Sequence, residues 1–113
     1  MTTKSYHTEE EKAREAERAS LSHGLRVAPA IVGSLWDAGC DVISVNLNRT
    51  MQWNYIQVYA KEKFVEWLRG RGVEIKVNNT VNSQMIQVSG VVDGMLILDF
   101  LTPEQCREVG LIE

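Results

Sequence analysis

The chain has almost none of the residues from which common active sites are built. Its two histidines, His7 and His23, both fall near the start, and its two cysteines are Cys40 and Cys106. Nucleophilic catalysis needs a nucleophile, a base and an orienting group that converge. With so few candidates, neither thiol shows a sign of activation. Zinc sites announce themselves as paired cysteines or as histidines at helical spacing, and neither pattern occurs. Gly70-Arg71-Gly72 reads as a helix end rather than a phosphate-cradling loop that opens a helix. Glu62 and Glu66 lie four apart, interleaved with Lys63 and Arg69, as on a solvated helix face.

Other absences narrow the setting. No apolar run approaches the ~18 residues of a membrane span. Met1-Thr2-Thr3-Lys4-Ser5 lacks the apolar core of a signal peptide, and two unpaired thiols suit a reducing cytoplasm. The net charge of −3 does not suggest wholesale binding to nucleic acid or to an anionic membrane. The sequence therefore predicts no enzyme, no cofactor, no metal and no membrane association.

What is present is an ordinary globular composition, 44% hydrophobic and 24% charged over 113 residues, which suits one domain. Residues 1–7 read as a disordered lead-in. Thr8 and Glu11 fit a capping box for a charged helix over 8–24, thin in apolar residues and stopped by Gly24. The compact domain then runs over 25–113. A second helix is predicted from about Val27 to Ala38, with Pro29 in its first turn and Gly39 at its end.

Asp41 to Leu47 alternates as a strand, with Ile43, Val45 and Leu47 on one side and Ser44 and Asn46 on the other. Asn48-Arg49-Thr50 supplies a turn, and Trp53 to Ala60 returns as a second strand. Lys61 to Arg71 is the clearest amphipathic helix, with Phe64, Trp67 and Leu68 on one face. Val73 to Val77 is a strand and Asn78-Asn79-Thr80 a turn cluster. Thr102-Pro103 caps a last helix, which Cys106, Val109 and Leu111 can pack back.

The most apolar stretch is Val81 to Leu101, read as a hairpin about Asp93-Gly94. Two registers compete. A two-residue loop sets Val92 opposite Met95 and Val88 opposite Asp99, which places a carboxylate among apolar positions. A three-residue loop sets Val91 opposite Met95 and collects Ile86, Val88, Leu96, Leu98 and Phe100 on one apolar face. The second register is preferred because that face is purely apolar, so Phe100→Asp is expected to unfold the domain.

The resulting fold class is α+β. One mainly antiparallel sheet of about five strands, two hairpins plus a strand, carries helices on one face and follows N-terminal helices. Helices on both faces would demand continuous apolar strands in place of alternating ones.

The most unusual feature is the row Trp53, Tyr55 and Tyr59 on one strand face. Aromatics there can pack under helices, anchor a protein partner or stack bases. Arg49, Lys61, Lys63, Arg69, Arg71 and Lys76 against Glu62, Glu66 and Glu74 leave a local excess of +3 between Val42 and Val92. The order of elements departs from that of an RNA-recognition fold.

The first functional expectation is a small non-enzymatic protein that occludes or bridges a protein partner. Regulators and inhibitors carried by phages and mobile elements, anti-defence proteins among them, are the analogy of type. The partner-binding residues are Trp53, Tyr55, Tyr59, Arg69, Arg71 and Lys76, and a homodimer through the sheet face or an open edge strand is a sub-case. The second expectation is a single-stranded nucleic-acid-binding module on the same residues. The third is an enzyme with a site of a kind the sequence does not announce.

Overall fold

The computed structural model describes residues 2–78 and 84–113, with the side chains of residues 2–7 and of Gln52 outside the description. Helix α1 spans Thr2–Asp37, strand β1 Asp41–Asn46, β2 Tyr55–Tyr59 and helix α2 Glu62–Gly70. Strand β3 covers Lys76–Asn78, β4 Ile86–Val92, β5 Met95–Leu101 and helix α3 Pro103–Glu108. The five strands form one mixed sheet in the order β1-β2-β5-β4-β3. All neighbours pair antiparallel except β2 and β5 at the centre, which run parallel. The α+β class, the five strands and a helix-first order are as the sequence predicts.

The N-terminal helices are one helix. It runs unbroken through Thr8 and Gly24, and Pro29 lies inside it. Gly24 is there for close approach, not as a stop. A Cβ at this buried position would come within 2.5 Å of Leu47 Cδ2 and 3.2 Å of Asn54 Nδ2. Pro29 sits on an exposed flank, where the missing N–H removes one helical bond without ending the helix. A 36-residue helix is about 54 Å long at 1.5 Å per residue. It accounts for the long axis of a molecule measuring 62 × 30 × 23 Å. Residues 8–19 are all exposed, and their ion pair Glu10–Arg14, at 3.9 Å, lies on the open helix surface.

Only the second half of α1 is held down. Ala28, Ile31 and Leu35 pack into a core with Ile56 and Val58 of β2, Ile97 and Leu101 of β5, and Phe64, Val65 and Leu68 of α2. Ser20 anchors the midpoint. Its hydroxyl donates to the Asn48 carbonyl at 2.7 Å, and Asn54 Nδ2 donates to the Ser20 carbonyl at 3.0 Å. The Asn48 N–H donates to Asn54 Oδ1 at 2.5 Å, so a buried asparagine ties helix, loop and strand together.

The central hairpin adopts the register the sequence reading set aside. Val92 pairs with Met95 and Val88 with Asp99. Asp93 and Gly94 both take positive φ, 51° and 77°, which is the two-residue turn whose twist matches that of the strands. Asp99 is therefore in the core, 1% exposed, yet fully engaged. Its Oδ2 accepts from the Ala60 and Lys61 N–H groups at 2.9 and 2.7 Å, and Lys61 Nζ stands 3.8 Å from Oδ1. A carboxylate among apolar neighbours is tolerable because it satisfies the donors that open α2 and faces a cation. Lys61 itself is held at φ 56°, a strained value for a residue with a side chain.

Two further strand boundaries differ from expectation. Trp53 belongs to a 3-10 turn, Met51–Trp53, before β2 begins. A bulge between Val42 and Ser44 places Val42, not Ile43, opposite buried Val58, and leaves Ile43 56% exposed. Strand β3 starts at Lys76, and the rest of the expected turn at Asn79-Thr80, with Val81, lies outside the described residues. The α3 cap is as predicted: the Gln105 N–H donates to Thr102 Oγ1 at 3.1 Å and the Thr102 N–H to Gln105 Oε1 at 2.9 Å.

Candidate binding surface

The three helices share one face of the sheet. Leu68 and Val73 close over Gly90, where a Cβ would meet them at 2.8 and 2.7 Å. Trp67 Nε1 donates to Ser34 Oγ at 3.1 Å, joining α2 to α1, and Arg69 donates to the Val109 carbonyl at 2.6 Å, joining α2 to the end of α3. Among the described residues, no helix lies on the opposite face, which carries the alternate residues of every strand.

The register fixes what that bare face presents. In one row Asn46, Tyr55, Leu96 and Val91 stand side by side across β1, β2, β5 and β4. The next row reads Ser44, Gln57, Leu98, Ser89 and Lys76. Two residues further on come Asp41 with Tyr59, and Phe100 with Gln87 and Asn78. Aromatic and aliphatic side chains share the middle of the surface with the uncharged Gln57, Ser89 and Gln87, while Asn46, Ser44, Asp41, Lys76 and Asn78 line its two margins. Leu98 is only 8% exposed, whereas Tyr59 and Val91 are 60% and 56% exposed. Lys61 closes one end, its ammonium 4.5 Å from the centre of the Tyr59 ring. The same lysine bonds the Phe100 carbonyl, so the residue that pairs with buried Asp99 also shapes the rim of the open face.

The six residues singled out from the sequence divide between places. Tyr55 and Tyr59 lie on the bare face, and Lys76 stands at its margin on β3. Trp53, 61% exposed, sits in the turn before the strand and is out of the row. Arg69 and Arg71 belong to the helical layer. Arg71 lies 4.5 Å from the centre of the Trp67 ring and bonds Ser34 Oγ, so its charge is directed away from the tyrosines. Leu96, Leu98 and Phe100 were missed as surface residues because the other hairpin register turns them inward. The signal that would have found them is Asp93-Gly94 read strictly as a two-residue turn.

The thiols are packed as small apolar groups. Cys40 and Cys106 are both unpaired and 0% exposed. Burial pushes both above the ordinary thiol value; Asp99 adds to the rise at Cys40, and Arg107 partly offsets it at Cys106. Among the described residues, no three His, Cys, Asp or Glu side chains gather as metal ligands, and no helix is long and apolar enough to cross a membrane.

No family model, no curated protein and no solved structure matches this chain.

Proposed function

We propose that this is a small non-enzymatic protein that works by binding a protein partner across the bare face of its sheet, occluding or bridging the target. The observation that carries the reading is the arrangement of that face. An apolar and aromatic centre of Tyr55, Leu96, Leu98 and Phe100 has polar margins on both sides. Protein interfaces have this anatomy, a centre depleted of charge with a wet polar rim, and tyrosine supplies area together with a hydroxyl. Single-stranded nucleic acid is the weaker fit. Lys61 and Lys76 flank the face, but Arg69 and Arg71 lie on the helical side, leaving no cationic track beside the tyrosines.

The test is affinity capture from native cell extract with the wild-type chain and with the Tyr55→Ala, Tyr59→Ala double variant, each with and without nuclease. A stoichiometric protein that survives nuclease and is lost with the double variant supports the reading. Recovery of nucleic acid, with affinity falling steeply as salt rises, would replace it with the stacking platform.

A further inference from the structure

A second surface lies at the β1 edge of the molecule, away from the tyrosines of the bare face; Ala28 in its floor is a core residue, and Val32 and Leu47 pack against the core. Leu25, Ala28, Pro29 and Val32 of α1 line an apolar groove of about 260 Å³ with Val45 and Leu47. The helix positions 21, 25, 29, 32 and 36 fall within one ~100° flank. This flank points away from α2, which meets α1 at Ser34. Leu25 is 65% exposed, Trp36 63%, Ile43 56%, Val45 42% and Leu21 36%. Val45 shares the groove with the helix flank, Ile43 is exposed in the adjoining bulge, and β1 is an outermost strand with one row of backbone groups unpaired. Leu21, Leu25, Trp36 and Val45 present on the order of 400 Å². That lies within the range of the largest apolar patch on an ordinary monomer, and Ile43 and the strand backbone extend it toward the ~800 Å² each partner buries in a standard interface.

The geometry points to a second copy of this chain as the occupant, in a two-fold dimer that sets α1 against α1 and β1 beside β1. Charges along both elements match under that symmetry. Antiparallel strands bring Asp41, at the start of β1, beside Arg49 just beyond the end of the other copy's strand. Antiparallel helices bring Arg26 toward Asp37. Asp37, Asp41 and Arg49 are all exposed, and among the described residues none is in an ion pair within its own chain. An isologous contact uses each such pair twice, so one substitution acts at two places.

Sedimentation velocity of the full chain tests this, with circular dichroism to confirm that each variant is folded. The wild-type chain is expected at twice 12.8 kDa at about 100 µM. Asp41→Arg and Arg49→Asp, separately, should each weaken the dimer at least about tenfold, since each sets like charges opposite one another. The two together should restore it, a result that a folding defect would not give. Tyr55→Ala with Tyr59→Ala should remain dimeric, which separates this surface from the bare face. A mass of 12.8 kDa at every concentration would overturn the proposal. So would single charge reversals without effect, a double reversal that stays monomeric, or loss of the dimer on changing the two tyrosines.

Discussion

The two faces of the sheet share their strands and turns and differ in what lies on them. Ile97 and Phe100 are three residues apart on β5, yet Ile97 is 0% exposed beneath the helices and Phe100 is half-buried on the bare side. The covered face is built for folding and even holds a carboxylate, because Asp99 has donors waiting for it. The bare face carries Tyr55, Leu96 and Phe100 among polar neighbours, and no helix among the described residues covers them. The comparison assigns stability to one side and leaves the other as the surface proposed for binding.

The largest expected contrast is between two aspartates placed on β5. Ile97→Asp buries an unpaired charge and should cost on the order of 5 kcal/mol, enough to prevent folding. Phe100→Asp should cost about 1–2 kcal/mol and leave a cooperative urea transition. Equal losses would erase the distinction between the faces and would revive the three-residue hairpin.

Asp99→Ala comes next. It orphans the Ala60 and Lys61 N–H groups beneath the helix layer and removes the partner of Lys61, so a loss of about 2–3 kcal/mol is expected in urea unfolding. Thr102→Ala, which removes one half of the α3 capping box, should cost about 1 kcal/mol by the same measurement.

A smaller effect should appear at alkaline pH. Burial raises the Cys40 and Cys106 thiols in the folded chain, so folding favours their neutral form. That contribution is complete below about pH 8.5, where an unfolded thiol is still protonated, and is lost as pH rises through the raised values. The urea midpoint of wild type should therefore fall more between about pH 7 and pH 10 than that of Cys40→Ala. Parallel curves would mean that the thiol does not report burial. Smallest of all, Tyr59→Ala should change stability by about 0.5 kcal/mol or less, because its ring is largely in solvent.

Alternation in the strands, the amphipathic run over Phe64 to Leu68 and the Thr102-Pro103 cap carried most of the architecture in plain view, because each is a local pattern with a local cause. The misreadings arose where a long-range contact decided the outcome. Gly24 resembles a helix stop until Leu47 is seen against it. Asp99 looks misplaced in a core until the start of α2 is found bonded to it. Preferring an all-apolar face over the turn rule hid half of the candidate surface, because the assumption that buried means apolar fails when backbone donors need an acceptor. Tyr55 and Tyr59 were legible from period-two spacing alone. Trp53 was not, because the 3-10 turn resets the alternation just before β2.

The most direct test of the recognition face is hydroxyl-radical footprinting of the captured complex against the free chain. The account predicts that Tyr55, Tyr59 and Phe100 become protected in the complex while Trp53, outside the row, keeps its reactivity. Unchanged labelling of Tyr55, Tyr59 and Phe100 in a stoichiometric complex would show that the partner binds elsewhere and would contradict the central claim.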